Sequence, residues 1–190
     1  MKNRIVSVYA VIGIWIALFV IGRFTNVEMV LCGKGANMIS DEYYRLFTAS
    51  FLHVGLIHLI ANCLGLYFAT IYLDGLINGW IMMVIAIIAG TVANGIFSVI
   101  TPQADSFMGG SVLVYSIIGL IVSMQILRKN TAPFKLGTWY GNWTLGYIIL
   151  SNLFNGSLKV GDLSVLKIHV IAFAIGMVSA IFLKPCKLRK

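Results

Sequence analysis

Charge is what this sequence lacks. Only 11% of its 190 residues are Asp, Glu, Lys or Arg, where a soluble domain carries about 25%. With 59% of the chain apolar, one core of this size cannot hide the apolar surface from water, and the excess must face lipid. A soluble enzyme and a disordered tail are both excluded. Cysteine is equally sparse: Cys32, Cys63 and Cys186 are an odd set without metal-ligand spacing, so no disulfide-stapled module and no structural disulfide is expected. The apolar runs do not alternate with period two, which argues against a barrel. There is no internal repeat and no low-complexity segment.

Acidic residues are the scarcer sign, and the net charge is +8. Its placement argues against a nucleic-acid partner. Lys2, Arg4, Arg128, Lys129, Lys135, Lys184, Lys187, Arg189 and Lys190 lie at the two ends and in one loop, with only Asp74 opposing them. If the chain crosses a membrane an even number of times, these segments share one face. The other face balances Arg23, Lys34, Arg45, Lys159 and Lys167 against Glu28, Asp41, Glu42, Asp105 and Asp162. That asymmetry is the positive-inside pattern and predicts both termini in the cytoplasm. The basic ends are expected against the anionic headgroups of the bilayer.

What is present is a set of apolar runs of roughly 17–25 residues, the length of spanning helices. Six lie near Ile5–Phe24, Leu46–Leu73, Ile77–Ile100, Phe107–Leu127, Leu136–Phe154 and Leu163–Leu183. They predict an all-α polytopic membrane protein, one six-helix bundle over residues 1–190 with no soluble domain at either end. The Met1-Lys2-Asn3-Arg4 start resembles a signal sequence, but the run of about 18 residues after it ends without a small-residue cleavage site, so a retained first helix is expected. The longest outer connection is Thr25–Tyr44. A bacterial cytoplasmic membrane is the expected location.

Polar groups inside a span are expensive and default to a functional hypothesis. All three histidines fall in predicted spans: His53 and His58 in the second, with Asn62 one turn beyond, and His169 in the sixth. Ser111 begins the fourth after Gly109-Gly110. With both termini inside, helices two, four and six start at the outer face, so His53, Ser111 and His169 lie at similar depth, and His58 and Asn62 deeper by about 1.5 Å per residue. A serine beside a histidine in a shielded place suffices for nucleophilic catalysis. No Asp or Glu lies near His169 in a span, so a dyad is expected, with Tyr115 placed to orient the imidazole. His58 and Asn62, an i, i+4 pair, and the Ser111 backbone N–H could donate to a developing oxyanion.

Each signal has a structural alternative. Intramembrane serine usually bonds its own backbone, Asn62 could be interhelical glue, and Gly109 and Gly110 could serve a turn. Zinc binding is disfavoured because His53 and His58 lack the HExxH spacing and glutamate. No metal or cofactor is implied. A small transporter would need polar groups through the full depth of the spans.

The stretch Glu42-Tyr43-Tyr44-Arg45-Leu46-Phe47-Thr48 leads into His53-x4-His58-x3-Asn62. Gly109-Gly110-Ser111 is followed by Tyr115 and Gly119, and His169 by Ala172, Gly176 and Ala180. Together, over about residues 42–183, these motifs resemble the rhomboid family of intramembrane serine proteases. The resemblance implies Ser111 as nucleophile and His169 as general base, with His58, Asn62 and the Ser111 N–H as oxyanion hole. It implies Tyr115 stacked on His169, His53 as a support, Arg45 bracing the first outer loop, and a gate made by the fifth helix with residues 155–163. The implied partners are transmembrane protein substrates. Val112 stands where the family usually has glycine, and is expected to narrow the cleft or hold the fourth helix away from the sixth. Ala172 also replaces a usual glycine, and Tyr44-Arg45 the commoner Trp-Arg. The small residues at 172, 176 and 180 form one groove that pairs with Gly119, so a bulky residue at Gly176 is expected to separate the two helices. An inactive relative that escorts membrane proteins is the alternative, with Val112 in its favour.

Overall fold

The computed structural model describes residues 2–127, 131–153 and 163–183. Among them the chain is helical, apart from one isolated antiparallel bridge between Gly33 and Phe107. The helices are α1 (Lys2–Gly22), α2 (Val27–Leu31), α3 (Tyr44–Thr48), α4 (Leu56–Ile71), α5 (Gly79–Ile100), α6 (Ser111–Leu127), α7 (Trp139–Leu153) and α8 (Leu163–Ser179), with 3-10 turns at Ala49–Phe51 and Ala180–Phe182. Three described helices are long and apolar enough to cross a membrane: Asn3–Gly22, Gly79–Ile100 and Leu163–Phe182. On α5 the split is legible residue by residue. Ile81, Val84, Ile88, Val92 and Ile96 face outward, while Met82, Met83, Ala86, Ala89 and Ala93 are buried. A stripe of branched apolar side chains recurring at helical spacing on the outside is a lipid-facing surface, and the chain is an integral membrane protein.

The second apolar run is not one helix. Tyr44–Phe51 and Leu56–Ile71 meet at 90°, which corrects the continuous span expected over Leu46–Leu73. The cause lies in two carbonyls. In an uninterrupted helix those of Ala49 and Ser50 would accept from residues 53 and 54. Here Ala49 O accepts from Gly109 N at 3.0 Å, and Ser50 O from Trp15 Nε1 at 3.2 Å. Asn94 of α5 fastens the same corner, donating to Leu46 O at 2.8 Å and Ser50 Oγ at 3.0 Å. With its ladder taken over by α1 and by the segment before α6, the chain turns at Leu52–Gly55 and restarts.

The fourth run also begins later than expected. Phe107 is held extended by its paired bonds with Gly33, each 2.9 Å, so α6 starts at Ser111 and has 17 residues. It is buried from Ser111 through Ile121, as befits a helix that is apolar on all sides. The most extensive helix contact joins α6 to α8. A Cβ on Gly176 would overlap the Ser116 carbonyl, and one on Gly119 the Phe173 carbonyl. The two backbones therefore touch reciprocally, and Ser116 Oγ reaches Ala172 O at 3.3 Å. Val112 does not hold these helices apart. It points to α5, where a Cβ on Gly90 would lie 3.2 Å from Val112 Cγ2.

The loop over residues 25–44 is pinned rather than loose. Arg45 donates to Met29 O at 2.8 Å, Cys32 O at 3.2 Å and Glu42 Oε2 at 2.8 Å. Thr48 donates to Leu31 O at 2.7 Å. Cys32 and Cys63 are free thiols, and Cys186 lies outside the described residues.

Candidate active site

Ser111 is the first residue of α6, so its N–H belongs to the opening turn, whose N–H groups have no carbonyl partner within the helix. The approach to it is tight. A Cβ on Gly109 would lie 2.9 Å from His58 Cε1 and 3.4 Å from Ser111 Oγ, so the His58 imidazole and the serine hydroxyl both close on the place a side chain would take. A Cβ on Gly110 would overlap the Trp15 ring. Both glycines are required by close approach.

Ser111, His58, Asn62 and His169 line one cavity of about 600 Å³, along with Gly109, Val112 and Tyr147. The rest of the wall is largely apolar, with Ile57, Trp143, Leu150, Val165 and Ile168 among its residues. Such a wall raises the worth of every polar contact inside it. His169 is buried on α8 and stacks on Tyr115, the ring centroids 4.1 Å apart and the planes 13° from parallel. Among the described residues no hydrogen bond joins Ser111 Oγ to His169; catalytic pairs are often loose without substrate and tighten when it binds.

His53 takes a different place from the others. It sits at the corner between α3 and α4, outside the cavity wall, with Trp15 edge-on at 5.1 Å and His58 at 5.2 Å. In a continuous helix, residues five apart would point away from each other; the 90° corner brings these two rings together. His58 Nδ1 and Asn62 Nδ2 are buried and bond none of the described residues; the amide Nδ2 is a donor, and the imidazole donates from whichever nitrogen carries its proton.

Two groups on α7 were not anticipated. Tyr147 Oη donates to Asn62 Oδ1 at 2.7 Å, which turns the amide so that Nδ2 is the free end. Asn152 Oδ1 meets His169 Nδ1 at 3.0 Å, and Asn152 Nδ2 donates to Tyr115 Oη. The signal was there: Tyr147, Ser151 and Asn152 are polar groups at helical spacing in an apolar run, the same criterion that singled out Asn62. Of the implied gate, residues 155–162 lie outside the described residues.

A match to the Rhomboid domain covers residues 40–188. The chain belongs to the rhomboid family. A curated relative, RHOMBOID-like protein 1 of Arabidopsis thaliana, is 28% identical over 124 residues, which is 64% of this chain and 30% of the relative. The chain thus spans under a third of that rhomboid-like protein's length. The matched segment runs from the loop braced by Arg45 through α8, and so contains the whole cavity wall.

Proposed function

We propose that this rhomboid-family chain is an intramembrane serine endopeptidase that hydrolyses peptide bonds in or near the transmembrane helices of membrane proteins. The observation that carries the reading is the cavity itself, where Ser111, His58, Asn62 and His169 converge from three helices on one shielded space. In the proposed reaction His169 takes the Ser111 proton as Oγ attacks the scissile carbonyl, then delivers it to the leaving amine. Water hydrolyses the acyl-enzyme. The Ser111 N–H at the start of α6, with His58 and Asn62 Nδ2, donates to the oxyanion. A substrate helix hides its carbonyls in backbone bonds, so cleavage falls where small or helix-breaking residues let it unwind.

The same reading takes the described helices as parts of one domain crossing the membrane six times, with α3 and α4 forming a bent second crossing. Both termini lie in the cytoplasm by the charge asymmetry, the membrane is a bacterial cytoplasmic one, and water reaches the site from the outer face. Substrate enters beside α7. One observation favours a second reading, a rhomboid-like protein that binds without cutting: the missing hydrogen bond between Ser111 and His169. A serine-directed fluorophosphonate separates the two. Labelling that disappears in Ser111→Ala and in His169→Ala is expected of the protease. A wild-type protein that stays unlabelled is expected of the binder.

A further inference from the structure

We infer that Asn152 is a positioning residue that fixes His169 in the tautomer with the proton on Nδ1, leaving Nε2 as the basic nitrogen. The catalytic use of that tautomer rests on the protease reading above; the tautomer itself does not.

A backbone carbonyl only accepts. Asn152 Nδ2 lies 2.7 Å from Ile148 O, so this end of the amide is the NH2 group and the other end is the oxygen. Ser151 Oγ spends its proton on Tyr147 O at 2.6 Å. Tyr115 Oη has one proton and two acceptors within reach of it, Ser151 Oγ at 2.7 Å and Ile148 O at 3.1 Å. Tyr115 Oη in turn accepts from Asn152 Nδ2. With Nδ2 fixed as the donor end by Ile148 O, Asn152 Oδ1 is an acceptor facing His169 Nδ1 at 3.0 Å. That nitrogen must carry a proton. An imidazole protonated on Nδ1 has its lone pair on Nε2, the state a general base needs, and the carbonyl dipole on Nδ1–H favours the imidazolium formed during attack. Tyr115 holds the ring plane by stacking, and Asn152 sets which nitrogen is bare. This supplies the third group that the absence of a carboxylate near His169 left missing.

Among the described residues the titratable groups facing His169 are Tyr115 and, across the cavity, His58 and Tyr147. Lys167, two residues earlier on α8, is exposed, and the α5 side contributes Asn94 and Phe97 without charge. Asn152→Asp therefore places a carboxylate where the described wall has none, keeps the acceptor, and should raise the pH at which His169 loses its proton.

The test uses full-length protein in detergent micelles with 15N-labelled histidine, His169→Ala giving the assignment. Wild type should show His169 protonated on Nδ1 at neutral pH, and Asn152→Ala should populate the Nε2–H form. In turnover, Asn152→Ala should lose kcat on the order of 10- to 100-fold with KM little changed. Asn152→Asp should recover activity with the acid limb of its pH profile at higher pH. An Nε2–H tautomer in wild type overturns the inference, and so does Asn152→Ala with wild-type tautomer and wild-type kcat. Equal loss in both variants with an unmoved pH profile also overturns it, since that marks mere packing. A protein that shows the Nδ1–H tautomer yet neither cleaves nor labels sinks the protease reading and upholds the assignment.

Discussion

At the scale of single residues, the site is a set of side chains held by neighbours rather than by their own helices. Asn62 Nδ2 is aimed only because Tyr147 occupies the other end of the amide. Tyr147→Phe keeps the ring that packs against Gly65 but removes that hydrogen bond. The bare Asn62 oxygen then costs about 1–3 kcal/mol of stability. On the protease reading, the misaimed donor should lower kcat by roughly tenfold or more, short of the full loss of an oxyanion donor. Reporter cleavage at saturating substrate, alongside a thermal unfolding curve in detergent, checks both; unchanged kcat would remove Asn62 from the oxyanion hole. Ser111, His58, Asn62, Tyr115 and His169 were legible in the sequence because each is a polar group in a sparse apolar background. Asn152 and Tyr147 carried the same mark, but their worth depends on which atom faces which. Spacing along one helix does not reveal that.

At the scale of elements, two features decide the geometry: the contact of α6 with α8 and the corner between α3 and α4. The first was legible, since small residues every four positions predict close packing. The second was not, because hydropathy reads the run through Leu52–Gly55 as continuous. Only contacts from α1 and from the segment before α6, distant in sequence, reveal that the Ala49 and Ser50 carbonyls are taken. Gly176→Leu tests the first. Its Cβ meets backbone, which cannot rotate away, so α6 and α8 must part, at a cost of about 1–3 kcal/mol or more. Activity should vanish while membrane insertion, assayed by protease protection, persists. Full activity would refute the packing account. Trp15→Phe tests the corner, since it frees the Ser50 carbonyl while keeping an aromatic ring beside His53 and Gly110. A loss of about 1 kcal/mol is expected, read as a lower unfolding midpoint.

At the scale of the whole molecule, the loop over residues 25–44, the corner and the cavity form one connected structure. Arg45 ties Met29, Cys32 and Glu42 to the start of the corner, and the same loop bonds the Gly33–Phe107 bridge that sets where α6 begins. Arg45→Ala should destabilise the protein by about 2 kcal/mol. Arg45→Lys should not restore it fully, because one ammonium cannot reproduce the fork. The hydrogen bond from Arg45, and after it that with Tyr44, holds Glu42 below its ordinary value of 4.5. A carboxyl depressed in this way contributes stability above pH 4.5 that is lost as pH falls through its folded value. Limited proteolysis within residues 25–44 should therefore accelerate only in acid below that point. The apolar share and the scarcity of charge made the membrane class legible from composition alone, whereas the convergence on one cavity required the fold. The central claim is tested most directly by cleavage of a single-span reporter in liposomes by wild type, Ser111→Ala and His169→Ala. Product from wild type and none from either variant is the predicted result. Product that persists in Ser111→Ala, or none from wild type across reporters with unstable helices, would contradict it.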